Sequence, residues 1–82
     1  MDIGVEVSLY PLDADFIPPI AGFIERVNRH AGVKVVTNSL STQIFGPYDR
    51  VMALLQQELR PTFESGGKAV FVMKVIGPYT AA

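Results

Sequence analysis

Ile3-Gly4-Val5-Glu6-Val7-Ser8-Leu9-Tyr10 alternates with period two. Ile3, Val5, Val7 and Leu9 fall on one side, and Gly4, Glu6, Ser8 and Tyr10 on the other. One apolar face and one mixed face make this a strand packed on a single side. Pro11 ends it, and Pro11-Leu12-Asp13-Ala14-Asp15 reads as a loop. Asp15 followed by Pro18 and Pro19 marks the start of a helix, because the first turn tolerates residues without an N–H. Apolar residues then fall at Ile17, Ile20, Phe23, Ile24, Val27 and Ala31, and Gly32 supplies a C-terminal stop.

The β-branched run from Val33 to Asn38 predicts a second strand, and Ser41 to Phe45 resumes alternation after the turn residues Asn38-Ser39-Leu40. So short a link makes the two strands a hairpin. Gly46-Pro47 breaks it, and a second helix starts near Tyr48 with Val51, Met52, Leu55 and Leu59 as its buried stripe. Pro61 inside that pattern predicts an end or a kink, leaving residues 61–65 bent or in a separate turn. Gly66-Gly67 reads as a flexible corner, Ala69 to Ile76 as the last strand, and residues 77–82 as a frayed end.

The order is βαββαβ. Right-handed crossovers place both helices on one face of a four-stranded antiparallel sheet, the ferredoxin-like α+β arrangement, with the first and third strands central. Residues 1–82 read as a single domain. Glu6, Ser8, Tyr10, Lys34, Val36, Asn38, Ser41, Gln43 and Phe45 are then expected on the open face. The fourth strand is apolar on both sides. Turning Phe71 and Met73 inward brings Lys74 beside Glu6.

Composition narrows the function. Seven Lys+Arg against eight Asp+Glu give a net charge of −1, so the basic footprint of a nucleic-acid binder is missing. Tyr10 and Phe45 alone do not make a single-strand RNA platform. There is no cysteine and one histidine, which excludes disulfides, thiolate nucleophiles and multi-His metal sites. No apolar run approaches the roughly 20 residues of a membrane span. Residues 1–12 carry acidic groups where a signal peptide is basic, so a cytoplasmic protein is expected, with no membrane partner. Hydrophobic residues reach 49% and charged residues only 18%. A chain this short buries only about 60% of its unfolded surface alone, so a homo-oligomer is expected.

The candidate chemistry is sparse. Asp13 and Asp15 precede a helix and read as capping groups. His30 ends the first helix, where a cation suits the dipole. Arg26 and Arg29 read as a solvated helix face. No serine sits in a strained elbow beside a base, and Gly66-Gly67-Lys68 lacks the rest of a phosphate loop. An acylphosphatase on this fold would need an Arg- and Asn-bearing phosphate loop that is missing. Asn38, Ser41, Thr42 and Gln43 stand apart. Two amides and two hydroxyls at one hairpin of a tiny domain need partners, either in a satisfied turn or in a ligand.

Those residues carry a resemblance. Val5-Glu6-Val7-Ser8-Leu9-Tyr10-Pro11-Leu12, Gly32-Val33-Lys34, Leu40-Ser41-Thr42-Gln43-Ile44-Phe45-Gly46 and Tyr48-Asp49-Arg50-Val51-Met52 resemble the YkoF-like family of thiamine/hydroxymethylpyrimidine-binding proteins. The likeness runs over residues 3–76, and the Ser-Thr-Gln block is its most specific part. Asp13-Ala14 departs from the Gly-Thr that often follows Pro-Leu in related chains. The resemblance implies the ferredoxin-like fold and assembly as a dimer or tetramer. It also implies non-catalytic binding of thiamine or its pyrimidine as ligand, with no other cofactor. Ser41, Thr42 and Gln43 match the family block, and Glu6 and Ser8 its first-strand positions. Hydroxyls and amides suit an aminopyrimidine's ring nitrogens and amino group, and Tyr10 or Phe45 suits its flat face. The competing expectation is a regulatory ligand-sensing module of the same topology, acting through a protein partner.

Overall fold

The computed structural model describes residues 1–65 and 67–81. Its elements are β1 (Asp2–Pro11), α1 (Ile17–Asn28), β2 (Lys34–Thr37), β3 (Thr42–Pro47), α2 (Tyr48–Glu64) and β4 (Ala69–Ile76). The sheet order is β2-β3-β1-β4, with every neighbouring pair antiparallel. This is the ferredoxin-like fold. Ile3, Val5 and Val7 of β1, with Ile44 of β3, pack against Phe23 and Val27 of α1 and Val51, Leu54 and Leu55 of α2. Phe71 and Met73 join that core from β4, so its phase is the expected one. Lys74 Nζ lies 3.8 Å from Glu6 Oε1 on the opposite face.

Several local expectations are corrected. The first helix stops at Asn28, short of Ala31, and Gly32 turns the chain at φ +80°. Asp15 does not cap it: Phe16 occupies the cap position, while Asp13 Oδ1 accepts the Asp15 amide at 2.9 Å in a local turn. Met52 is exposed and Leu54 takes its place, because the buried stripe of α2 runs through Val51, Leu54, Leu55 and Glu58. Pro61 does not end α2, which continues to Glu64. Pro61 cannot donate to the Gln57 carbonyl, yet the adjacent Glu58 carbonyl gains an outside donor, the Arg26 guanidinium at 3.1 Å.

Arg26 is therefore not part of a solvated face. Its Nε donates to Glu58 Oε1 and its Nη2 to Thr62 Oγ1, both at 3.0 Å, and His30 Nε2 lies 2.6 Å from Glu58 Oε2. Arg29 pairs on the surface with Glu25, one turn away. The tail is not frayed at Tyr79, whose amide donates to the Asp2 carbonyl at 2.7 Å and whose ring packs on Phe45. Gly66 of the expected Gly66-Gly67 corner and Ala82 of the tail lie outside the described residues.

Candidate functional site

Period two splits the Ser-Thr-Gln block. Ser41 and Gln43 are half-buried toward the open face, whereas Thr42 is buried toward the helices beside Ile44. The side chains proposed from the sequence consequently serve two surfaces. Ser8, Tyr10, Asn38, Ser41 and Thr42 line a cleft of about 390 Å³ at the end of the sheet. Glu6, Gln43 and Phe45 line a separate depression of about 360 Å³ on the open face, together with Lys74, Ile76 and Tyr79. The sequence reading missed Tyr79, because nothing in residues 77–82 signals packing.

The cleft exists because β1 outruns β3. Pairing between them ends at Val7↔Thr42, while β1 continues to Pro11 against β4 alone. Phe16, Ile20, Phe23 and Ile24 line the resulting notch from the α1 side, and residues 37–42 of the hairpin line its far wall. The hydroxyls of Thr37 and Thr42 stand 3.5 Å apart across the hairpin. Few polar groups set into an apolar concavity is the usual make-up of a small-molecule site.

The hairpin turn is held from both sides. Asn38 Oδ1 accepts the Leu40 amide at 2.9 Å and the Ser41 amide at 3.0 Å, an Asx turn. Ser8 Oγ donates to the Leu40 carbonyl at 3.3 Å, and Ser41 Oγ donates to Glu6 Oε2 at 3.1 Å. Glu6 thus receives both Ser41 and Lys74. Phe45 lies over Gly4, where an added Cβ would come within 2.9 Å of its ring. Among the described residues, no group of three or more His, Cys, Asp or Glu side chains could hold a metal. Among the described residues, no helix is long and apolar enough to cross a membrane.

The YKOF-related family model matches residues 2–75. The chain belongs to that family. No curated protein sequence matches this YKOF-related chain significantly. Among solved structures, a Streptococcus pneumoniae protein superposes with a TM-score of 0.88 at 18% identity, covering 96% of this chain and 89% of its own. A Methanocaldococcus jannascii hypothetical protein gives 0.81 at 20% identity, with 99% and 84% covered. A Thermotoga maritima protein provisionally assigned to thiamine biosynthesis/salvage gives 0.81 at 17% identity, with 92% and 82% covered. At these identities the likeness is one of fold.

Proposed function

We propose that this YKOF-related chain binds thiamine or its hydroxymethylpyrimidine moiety, without catalysis, in the cleft at the end of the sheet, and so serves salvage, buffering or transport. The observation that carries the reading is the notch itself. It is a concavity of suitable volume, about 390 Å³, with aromatic and aliphatic side chains from α1 and hydroxyl and amide groups from the hairpin. Ser41 and Thr42, from the block that carries the family resemblance, are among its lining residues. The name of the Thermotoga maritima neighbour points the same way. Phe16 offers a face for a flat ring, Tyr10 flanks the mouth, and Thr37, Asn38 and Thr42 offer polar partners.

The open face belongs to a second copy in this reading. Tyr10, Val70, Val72, Ile76 and Tyr79 are all exposed there, an apolar surface of the kind that marks an interface. Light scattering at low micromolar concentration is expected to give a dimer or tetramer, and a clean monomer would remove this part of the proposal.

The decisive experiment is calorimetric titration with thiamine, hydroxymethylpyrimidine and a panel of amino acids. Saturable binding of thiamine or the pyrimidine supports the proposal. Binding of an amino acid alone would replace it with a metabolite-sensing module.

A further inference from the structure

Beyond its last pair with β3, the β1 edge leaves the Leu9 main chain without a ladder partner, and Leu9 lines the cleft. In an antiparallel sheet the N–H and C=O of one residue point to the same side, and successive residues point to opposite sides. The Met1 carbonyl accepts the amide of Tyr48, which follows β3, so odd-numbered residues of β1 address β3. The Leu12 amide donates to the Lys68 carbonyl, so even-numbered residues address β4. The unbroken registers of β1 with both neighbours keep this parity along the strand. Leu9 is odd and lies one step beyond the last β3 pair, Val7↔Thr42.

The register would next place Leu40 opposite Leu9. Leu40 is engaged elsewhere: its amide goes to Asn38 Oδ1, and its carbonyl accepts from Ser8 Oγ. Among the described residues, no turn, loop or cap hydrogen bond reaches the Leu9 N–H or C=O, its pairing with β3 has ended, and the parity of the ladder turns both groups away from β4. Pro11, the next odd residue, has no N–H to offer. A donor and an acceptor therefore stand side by side on one wall of an apolar-lined cleft.

We propose that the Leu9 main chain is the recognition edge of this cleft, pairing with a planar heterocycle that carries a ring-nitrogen acceptor beside an amino donor. The Leu9 N–H donates to the ring nitrogen and the Leu9 C=O accepts from the amino group, restoring the two bonds that Leu40 withholds. A ring face then lies against Phe16, which is exposed at the cleft. This deepens the reading of the cleft given above and rests on it for the location of the site. It specifies a chemical edge, which aminopyrimidine, adenine and cytosine share and which uracil lacks.

The test uses the full chain, made by chemical ligation with an ester in place of the Ser8–Leu9 amide, which deletes the Leu9 N–H and keeps every side chain. The probes are hydroxymethylpyrimidine, its N,N-dimethylamino analogue, adenine and cytosine. The ester is expected to leave the thermal midpoint within a few degrees and to weaken hydroxymethylpyrimidine by about tenfold. The dimethylamino analogue should bind at least as poorly. Amide exchange at Leu9 in the native chain should be far faster than at Val7 when free, and slow by about tenfold or more when saturated.

A large fall in the midpoint of the free ester, or Leu9 exchange already as slow as that of Val7, would overturn the proposal by revealing a partner within the fold. So would binding of any probe that leaves Leu9 exchange unchanged, or failure of all four probes to bind. Binding of adenine or cytosine alone, with Leu9 protected, would support this inference while overturning the thiamine reading.

Discussion

The two ends of α1 treat their polar groups in opposite ways. At its C-terminal end, Glu58 reaches from α2 into a closed set: Arg26 and His30 hydrogen-bond its carboxylate, Thr62 accepts from the same Arg26 guanidinium, and the carboxylate is almost wholly buried. At its N-terminal end, helix-start side chains face a strand edge and a hairpin whose polar groups are only partly engaged with one another. Burial of a charged group requires saturation, since an unpartnered buried charge is costly. A cleft wall is under no such requirement while water fills it. The comparison separates polar residues that hold the fold from those left over for a ligand.

Breaking the closed end should have the largest effect. Glu58→Ala removes the carboxylate that pairs with Arg26 and His30, leaves the guanidinium charge between the helices with only neutral acceptors, and is expected to destabilise the chain by on the order of 3 kcal/mol. In urea titration that is a large fraction of the stability of a domain this size. Affinity for the pyrimidine, measured at a temperature where the variant is folded, should stay within about twofold. A collapse in affinity with stability intact would place the carboxylate in the ligand's reach and erase the contrast.

Thr42→Val keeps shape and removes a hydroxyl at the open end. It should weaken ligand binding by roughly tenfold and leave the melting temperature nearly unchanged, because the 3.5 Å approach to Thr37 is long for a hydroxyl pair. Asn38→Ala sharpens the contrast further. It deletes the acceptor of two amides and should cost about 1 kcal/mol in stability. It also releases Leu40 to pair with Leu9, so ligand affinity should fall more than stability does. Equal falls would return Asn38 to a purely structural role. The smallest effect belongs to Lys74→Ala. Its ammonium is largely exposed and 3.8 Å from Glu6, so unfolding free energy should move by less than about 0.5 kcal/mol.

Alternation in β1 and helical spacing in residues 17–27 made the topology legible, because each reports a single buried face. The departures arise where tertiary partners override local pattern. Arg26 looked solvated until Glu58, 32 residues away, was opposite it. Leu54 and Met52 compete for one stripe, and only the packing of α2 on the sheet decides between them. Pro61 is tolerated near the end of α2, where only Glu64 and the cap Ser65 remain beyond its own turn. The candidate residues were legible as types but not as a set. The turn Asn38-Ser39-Leu40 could be read from the sequence; that it halts the β1–β3 ladder at Val7, two residues short of Leu9, could not. Tyr79 escaped because its anchor is the Asp2 carbonyl, a main-chain partner with no sequence signature.

The mismatch in length between β1, with ten residues, and β3, with six, makes capacity a counting problem. Strand pairing advances in units of two residues, because the hydrogen-bonded side recurs with that step. Moving the hairpin two positions toward the amino terminus of β3 would close the opening, and moving it two the other way would double the bare edge. Size selectivity on this scaffold is therefore stepwise, set by an integer in the hairpin, whereas the side chains around the opening tune affinity continuously within each step.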